Sequence, residues 1–279
     1  MKILILGKGW IGTKCAEAWE DAEIVSQRIN SIDDAKSMIE DYSPDVILNA
    51  AGVTGKPNVD WCETHVKETV EGNTLLPFYL AEACKDAGVY MLHIGSGCVF
   101  YDDSAHNDNL WRPDDFANPQ AVYSVAKYAG DLILGNYDNV GIARIRMPID
   151  SIPGPRNIID KLVAYDKVID VENSVTVLKD MILVFRELLE KEAKGNFHVV
   201  NPGVIKHKTI IDLYKKYIDD SLEKNWIDES ELVELGLATK KRSNNFLASP
   251  NLKKYGIEMR NIDVAMEELM QEYKQNLKK

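Results

Sequence analysis

The stretch Ile3-Leu4-Ile5-Leu6-Gly7-Lys8-Gly9-Trp10-Ile11-Gly12 sets the architecture expected for this chain of 279 residues. Its apolar run suits a buried parallel strand, and a helical pattern follows from about residue 11 to residue 20. Glycines between a strand and a helix allow a tight turn and let a pyrophosphate approach the helix N-terminus, which favours negative charge. In this context the pattern predicts a dinucleotide site, whereas the alternative is a plain glycine turn. The residues predicted to contact the cofactor here are Gly7, Gly9, Trp10, Ile11 and Gly12.

The end of the second predicted strand indicates which dinucleotide is bound. NAD sites usually place a carboxylate there for the ribose 2′-hydroxyl. This strand ends instead in Ser26, Gln27 and Arg28, whose hydrogen-bonding and cationic groups suit a 2′-phosphate. We therefore predict NADPH as the cofactor, bound in part through Gln27 and Arg28. The alternative for Arg28 is a solvated surface charge.

Strands and helices alternate along the first half of the chain. The pattern predicts strands near 2–6, 23–27, 45–49, 90–95 and 141–146, and helices near 11–20, 33–42, 61–87 and 121–138. This order predicts an α/β Rossmann fold, that is, a doubly wound parallel sheet. A helix near 179–193 and a strand near 195–200 are expected to return to the sheet.

The pattern becomes irregular after Pro148, which predicts a second, smaller unit. We expect an NADP-binding Rossmann domain over 1–147, completed by 177–200, and a smaller C-terminal substrate-binding lobe from 148–176 and 201–279. Helical spacing in the last helix predicts that its apolar residues are core: Ile262, Met266, Leu269, Met270, Tyr273 and Leu277.

Composition limits the classes of function. The net charge of −11 argues against general nucleic-acid binding. No apolar run approaches the roughly 20 residues that span a bilayer, and the N-terminus is a predicted strand instead of a signal peptide. The four cysteines lack Cys-x-x-Cys spacing, and the five histidines form no close pair. We therefore expect no metal site and a reducing cytoplasm, with Cys15, Cys84 and His93 as core residues.

Tyr123-Ser124-Val125-Ala126-Lys127 is the chemical motif of the chain. Residues four apart lie one helical turn from each other, so the Lys127 ammonium is expected to lower the pKa of Tyr123 toward neutrality. Tyr123 would then serve as a general acid or base. Ser96, at the end of a predicted strand, supplies a hydroxyl that could hold a substrate carbonyl beside it.

Several motifs together resemble one known family. The segments are Asn49-Ala50-Ala51-Gly52-Val53-Thr54-Gly55-Lys56-Pro57-Asn58-Val59-Asp60-Trp61-Cys62-Glu63, Gly95-Ser96-Gly97-Cys98-Val99-Phe100, Tyr123-x-x-x-Lys127, Arg144-Ile145-Arg146-Met147-Pro148-Ile149, Pro155-Arg156-Asn157, Asn173-Ser174-Val175-Thr176, Asn201-Pro202-Gly203-Val204 and Arg242-Ser243-Asn244-Asn245. Over nearly its whole length the chain resembles extended short-chain dehydrogenase/reductases of the dTDP-4-dehydrorhamnose reductase type. It is most similar to the bifunctional UDP-4-keto-rhamnose 3,5-epimerase/4-reductases. It departs from them in a glycine motif one residue shorter than Gly-x-x-Gly-x-x-Gly, and in Ser96, where plant relatives more often have Thr.

The resemblance implies a role for each matching residue. Ser96, Tyr123 and Lys127 would form the reductase triad, with Lys127 also on the nicotinamide ribose. The remaining cofactor contacts would be Ala50, Ala51, Gly52 and Asn73. The nucleotide-sugar substrate would be bound by Thr54, Asn157, Arg242 and Asn244, of which the last two would grip its diphosphate. For Arg242 and Asn244 the alternative is an ordinary surface loop.

Cys98 and Lys161 match residues that carry the epimerase activity. In a 4-keto sugar both C3 and C5 are α to the carbonyl, and inverting them calls for a pair of acid–base groups. GDP-fucose synthases, which invert the same two centres, resemble this chain in a Cys at this strand end. The alternatives are that Cys98 is a buried small hydrophobe and that Lys161 lies on a solvated helix face. Two residues after Ser96, Cys98 is expected on the same side of the strand.

The resemblance therefore implies a cytoplasmic NADPH-dependent enzyme that converts UDP-4-keto-6-deoxy-D-glucose to UDP-L-rhamnose. Two alternatives stay open, a dTDP-4-dehydrorhamnose reductase without epimerase activity and a non-catalytic NADP-binding regulatory subunit. A homodimer is an expectation of the class alone.

Overall fold

The computed structural model describes residues 1–56 and 58–278. Pro57, which belongs to one of the motifs, and Lys279, the last residue of the predicted lobe, lie outside this description. The strands are β1 (Ile3–Leu6), β2 (Ala22–Val25), β3 (Val46–Asn49), β4 (Tyr90–Ser96), β5 (Val140–Ile145), β6 (Pro148–Ile149), β7 (Lys167–Ile169), β8 (Glu172–Asn173), β9 (Thr176–Val177), β10 (Gly195–His198), β11 (Ile205–Lys206) and β12 (Asn225–Ile227). The helices are α1 (Trp10–Ala18), α2 (Ile32–Tyr42), α3 (Val66–Val70), α4 (Leu76–Ala87), α5 (Val122–Leu134), α6 (Ile158–Ala164), α7 (Leu178–Glu190), α8 (His207–Tyr217), α9 (Glu231–Glu234), α10 (Pro250–Lys253) and α11 (Ile262–Asn276).

Six strands form one parallel sheet in the order β10-β5-β4-β3-β1-β2. The chain moves outward from β1 to β2 and then returns to place β3 on the other side of β1. Such a reversal opens a crevice at the carboxyl ends of the strands, where cofactors of doubly wound proteins bind. The predicted α/β fold with a doubly wound parallel sheet is confirmed.

Successive side chains of a strand point to opposite faces of the sheet, so alternating residues pack into two hydrophobic layers. Ile3 and Ile5 pack with side chains of α1 and α7 on one face of the sheet. Leu4 and Leu6 pack with α2, α4 and the end of α5 on the other face. Cys15 and Cys84 are fully buried in these two layers, which confirms their prediction as core residues.

A separate hydrophobic cluster joins α6, α8 and α11 with the short strands β6, β7, β9 and β11. It draws on both 147–177 and 205–273, so the smaller lobe is assembled from two distant parts of the chain. Of the six residues of the last helix predicted to be core, five are buried. Leu277 was predicted wrongly, because α11 ends at Asn276 and Leu277 is 46% exposed.

The single helix predicted near 61–87 is also wrong. A 3₁₀ turn covers Val59–Glu63, α3 follows, and a π-turn at Glu71–Leu75 separates α3 from α4. A side chain at Gly72 would lie 2.5 Å from Val53 Cγ2, so the helix and the loop after β3 touch closely here. Such π-turns widen a helix locally and are frequent at functional sites.

Across 1–56 and 58–278, none of the helices combines the length and the apolar character needed to cross a membrane.

Candidate active site

The glycine turn after β1 is packed tightly against the end of β3. Gly7 has a φ of +112°, and a Cβ there would lie 2.7 Å from the Ala51 nitrogen. A Cβ on Gly12 would lie 2.2 Å from the Gly7 carbonyl oxygen. Gly9 is the N-cap of α1, and the nearest atom to a Cβ there would be Arg156 Nη1 at 3.9 Å. The first and last glycines are thus required by packing, and the middle one leaves room beside the helix N-terminus for a pyrophosphate.

Gln27 and Arg28 follow β2 and are exposed. Because β2 lies beside β1, and the Gly7 amide donates to the Val25 carbonyl at 2.8 Å, these side chains share the sheet edge with the glycine turn. The position suits a 2′-phosphate on a dinucleotide bound across the turn. Trp10 and Ile11, on the first turn of α1, are half-buried against the sheet.

The loop after β3 is fixed by two buried asparagines. Asn49 accepts a hydrogen bond from the Ala51 amide at 3.1 Å. Asn73, on the π-turn, accepts from the Val53 amide at 3.1 Å and donates to the Val53 carbonyl at 2.8 Å. The loop is therefore rigid where Ala50, Ala51 and Gly52 are predicted to meet the cofactor.

Gly52 and Asn73 lie next to the lysine of the motif. A Cβ on Gly52 would be 3.0 Å from Asn73 Oδ1 and 3.4 Å from Lys127 Nζ. Only a residue without a side chain leaves this space open, which fits the predicted approach of the nicotinamide half of the cofactor.

His93 occupies the centre of β4 and is fully buried. One ring nitrogen is hydrogen-bonded to the Asn49 amide at 3.0 Å, whereas Nε2 has no hydrogen-bond partner among the described residues. Burial, with a smaller effect of Lys127, holds the pKa of His93 well below its ordinary value. The ring is a neutral structural group, so the prediction of a satisfied core histidine holds for one of its two nitrogens.

Ser96 and Tyr123 meet at the carboxyl end of β4. Ser96 is the last residue of the strand, and Tyr123 lies on the first turn of α5. Burial raises the pKa of Tyr123, the nearby Cys98 raises it further, and a hydrogen bond with Ser96 opposes the shift. The phenol is therefore protonated at neutral pH and can donate a proton to a carbonyl oxygen held beside Ser96.

The predicted effect of Lys127 on Tyr123 is wrong in this arrangement. Lys127 Nζ donates to the Ile94 carbonyl at 3.0 Å and lies close to Gly52. The largest influence on the pKa of Tyr123 is burial, which raises it. Burial also lowers the pKa of Lys127 itself to about 8, and Asp131 opposes this shift.

Asp131 continues the same face of α5 one turn beyond Lys127 and was missed by sequence analysis. Its Oδ2 accepts from Arg144 Nε at 2.7 Å, and both side chains are almost completely buried. Burial raises the pKa of Asp131, and Arg144 and Lys127 oppose the rise. The i, i+4 spacing from Lys127 is a signal that could have identified this residue.

Cys98 lies in a 3₁₀ turn, Gly97–Val99, instead of continuing β4. Its predicted placement by strand alternation is therefore wrong. The Cys98 amide donates to Ser96 Oγ at 3.2 Å, and this turn brings the thiol close enough to affect the pKa of Tyr123. Arg146, just after β5, donates from Nη1 to Cys98 Sγ at 3.1 Å, a contact that the sequence did not indicate.

Lys161 lies on α6 in the smaller lobe, and Asn157 directly precedes this helix. Asn157 is the N-cap, and its amide donates to the Asp150 carbonyl at 2.7 Å and the Ile152 carbonyl. Its polar groups are thus used inside the lobe, where they orient the helix that carries Lys161. Lys161 is half-buried, and its side-chain ammonium has no hydrogen bond or ion pair with any residue that the structure describes, Cys98 included. Burial lowers its pKa, and Arg156 adds to the effect.

The predicted substrate residues Arg242 and Asn244 belong to a loop that crosses the end of β4. Arg242 makes a bidentate pair with Asp60 at 2.8 and 2.9 Å. Asn244 donates to Glu229 at 2.6 Å and accepts from Asn173. Both side chains already have partners within the chain, and their contact with a diphosphate stays a prediction.

Glu63 connects this loop to α5, the helix that carries Tyr123 and Lys127. Its Oε1 accepts from the Val122 amide at 2.8 Å, at the first residue of α5. Its Oε2 lies 2.7 Å from Lys240 Nζ. Thr54, the remaining predicted substrate residue, is exposed in the loop after β3.

Comparison with known proteins identifies the family. The RmlD substrate binding domain profile matches residues 1–274. A bifunctional dTDP-4-dehydrorhamnose 3,5-epimerase/dTDP-4-dehydrorhamnose reductase of Arabidopsis thaliana is 36% identical over 260 residues, covering 90% of this chain and 86% of the plant protein. The crystal structure of the UDP-rhamnose synthase of Acanthamoeba polyphaga mimivirus superposes with a TM-score of 0.90 at 26% identity, over 98% of this chain and 99% of that chain.

A more distant structure shares the fold. The dTDP-4-dehydrorhamnose reductase of Bacillus anthracis, solved in complex with NADP, superposes with a TM-score of 0.81 at 18% identity, over 96% of this chain and 98% of that chain. The profile match over 1–274 and the plant relative agree with the resemblance carried by the sequence motifs. The chain belongs to the RmlD substrate-binding domain family.

Proposed function

We propose that this protein is an NADPH-dependent 3,5-epimerase/4-reductase that converts UDP-4-keto-6-deoxy-D-glucose to UDP-L-rhamnose. The observation that carries the proposal is the meeting of Ser96, Tyr123 and Cys98 at one strand end, beside the loop that Lys127 faces. A reductase needs the first two with the lysine, and a free thiol next to them supplies an additional acid–base group.

Epimerisation would come first. The protons on C3 and C5 are acidic because the negative charge left by their removal is shared with the C4 carbonyl oxygen. Ser96 and the protonated Tyr123 can stabilise that oxygen by hydrogen bonding. Cys98 and Lys161 are the proposed pair that removes and returns these protons.

Reduction would follow at C4. NADPH, when bound, supplies the hydride. Tyr123 gives its proton to the C4 oxygen, and the Lys127 ammonium, held by the Ile94 carbonyl, positions the nicotinamide ribose. Gln27 and Arg28 are the proposed contacts for the 2′-phosphate.

UDP is the proposed nucleotide because the structural relative from mimivirus is a UDP-rhamnose synthase. The name of the plant relative specifies dTDP, so a dTDP sugar is the competing substrate. Both carry the diphosphate that Arg242 and Asn244 are proposed to bind. A homodimer in the cytoplasm stays an expectation of the resemblance.

One experiment separates the proposed function from its alternatives. The protein is incubated in deuterated water with UDP-4-keto-6-deoxyglucose and NADPH, and the product is identified by NMR. Epimerisation exchanges the C3 and C5 protons with solvent, whereas reduction at C4 does not. The proposal requires UDP-rhamnose labelled at both carbons. NADPH that is consumed only when UDP-4-keto-rhamnose replaces this sugar would indicate a reductase alone. NADPH that is bound but consumed with neither sugar would indicate a regulatory subunit.

A further inference from the structure

Arg146 is a buried cation at the centre of the candidate site. It is 5% exposed and follows the last residue of β5. Its Nη1 donates to Cys98 Sγ at 3.1 Å, and its Nη2 donates to Asn173 Oδ1 at 2.6 Å and to the Ser243 carbonyl. Its Nε has no hydrogen-bond partner among the described residues. The guanidinium is thus directed into the site with part of its bonding capacity unused.

The charge of Arg146 has no carboxylate partner within the part of the chain that the structure describes. Arg144, two residues earlier, is buried to a similar degree and pairs with Asp131 at 2.7 Å. A buried charge without a counter-ion is costly. Of the three groups that accept hydrogen bonds from the Arg146 guanidinium, the Asn173 amide and the Ser243 carbonyl are neutral. The Cys98 thiol is the one that can ionise.

The backbone holds the two side chains against each other. A Cβ on Gly97 would be 2.6 Å from Leu247 Cδ1 and 3.4 Å from Arg146 Cβ, so the turn packs directly on the arginine. The Arg146 amide donates to Thr176 Oγ1 at 3.0 Å, and its carbonyl accepts from the Thr176 amide at 2.8 Å. The next residue, Met147, has a φ of +40°. A left-handed conformation is unfavourable for methionine, and here it is held by these flanking contacts.

We propose that Arg146 is the positioning residue of Cys98, and that the two form a thiolate–guanidinium pair from which Cys98 acts as the epimerase base. The proposal rests on the proposed function, because it deepens the role of Cys98. The thiolate takes a proton from a carbon α to the C4 carbonyl and becomes a thiol. The electron pair of the broken C–H bond moves to the carbonyl oxygen, which becomes an enolate oxygen. Arg146 keeps its charge throughout and transfers no proton.

The pH dependence of alkylation tests the pair in the unmodified protein. Iodoacetamide modifies the thiolate, so below its ordinary titration near pH 8.5 a free thiol reacts about tenfold more slowly for each unit of falling pH. The other three cysteines are fully buried, and Cys98→Ser, followed by intact mass, gives the background. We expect the rate at Cys98 to change less than about twofold between pH 6.5 and 8. The ordinary tenfold slope would overturn the proposal.

Variants separate the charge of Arg146 from its packing. Arg146→Gln is expected to restore the ordinary slope and to lower the rate at pH 6.5 by about tenfold or more, whereas Arg146→Lys should retain part of the flat profile. Arg186→Gln, which removes an arginine of α7 that pairs with Asp21 and Glu190, should leave the profile unchanged. If Arg146→Gln does not fold, the profile of the unmodified protein decides alone. The alkylation rate of Cys98 could be independent of pH while the sugar product of the labelling experiment contains no deuterium. That result would support the Arg146–Cys98 pair and reject the proposed function.

Discussion

Burial lowers the pKa of the Lys127 ammonium from 10.5 to about 8. Between these two pH values the unfolded chain holds a proton that the folded protein has released, so the free energy of unfolding rises with pH across this window. Below pH 8 the folded protein carries the whole cost of the buried ammonium, roughly 3 kcal/mol for a shift of this size. The buried ammonium thus lowers the stability of the folded protein, and the role proposed for Lys127 would account for its being kept there.

This cost leads to a prediction at a single residue. Lys127→Met should raise the free energy of unfolding at pH 7 by about 1–3 kcal/mol and abolish reduction. This increase in the free energy of unfolding should shrink toward zero by pH 10, where Lys127 of the unmodified folded protein is no longer charged. Urea unfolding at both pH values measures it, with the exposed Lys67→Met as the control. An equal gain at both pH values would refute the buried-charge account.

Tyr123 is expected to separate binding from chemistry. The pKa of its phenol is raised by burial, so the group is a proton donor over the whole neutral range. Tyr123→Phe keeps the ring in its packed position and should lower the rate of NADPH oxidation by about 10²–10⁴-fold, with little change in NADPH affinity. Tyr128→Phe, on the same helix with its hydroxyl accepting from the Ala117 amide, is the matched control. A Tyr123→Phe protein that oxidises NADPH at the normal rate would remove Tyr123 from the mechanism.

At the scale of the element, α5 carries Tyr123 and Lys127 and is held at its N-terminus and in its middle. Its N-terminus is capped by Glu63 from a 3₁₀ turn far away in sequence. Its middle is joined to β5 through the Asp131–Arg144 pair. The helix therefore cannot shift along its axis without breaking a buried contact, which keeps Tyr123 and Lys127 in register with β4.

Glu63 both caps α5, through the Val122 amide, and forms a surface ion pair with Lys240. Two variants separate these contributions to stability. Glu63→Ala removes both, and should lower the free energy of unfolding by about 1–2 kcal/mol, the usual value of an N-terminal cap. Lys240→Ala removes only the ion pair and should cost less than about 1 kcal/mol, since Lys240 is 46% exposed. Urea unfolding of the two variants compares them, and equal losses would mean that the cap contributes nothing.

At the scale of the whole molecule, the sheet and the smaller lobe are joined by polar contacts that are partly buried. Asp180, on α7, accepts from Arg260 at 2.6 and 2.9 Å and from Asn201 at 2.6 Å. Lys14 on α1 reaches Asp150 of the lobe at 2.9 Å. These contacts place the lobe across the carboxyl edge of the sheet, where substrate and cofactor are proposed to meet.

Removing the contacts that Asp180 makes with the smaller lobe should destabilise the entire protein. Asp180→Asn removes the buried carboxylate, leaves Arg260 paired with Glu268 alone, and should lower the free energy of unfolding by about 1–2 kcal/mol, within a single transition. Lys179→Ala, whose exposed pairs with Glu268 and Glu272 are worth less than about 1 kcal/mol, is the neighbouring control. Thermal unfolding followed by calorimetry measures both. Two separate transitions would show that the lobes unfold independently.

Short-range patterns in the sequence were enough for the parallel sheet, the glycine turn and the placement of Tyr123 and Lys127 on one helix. The spacing of apolar residues that is typical of strands and helices extends over only a few residues, so it can be recognised directly in the sequence. The same patterns failed where tertiary contact overrides local preference. The predicted long helix is divided by a π-turn because Gly72 packs on Val53, and the pKa of Tyr123 follows burial instead of its helical neighbour.

The partners of the site residues were decided only by the fold. Arg146 reaches Cys98 across 48 positions of sequence, and Arg242 reaches Asp60 across 182. No periodicity links residues so far apart, because their contact depends on which strands the sheet places side by side. Burial likewise depends on the complete packing of both layers. The burial of the Lys127 ammonium, and of an Arg146 guanidinium with no carboxylate partner among the described residues, are for this reason properties of the folded chain. The residues themselves are visible in the sequence.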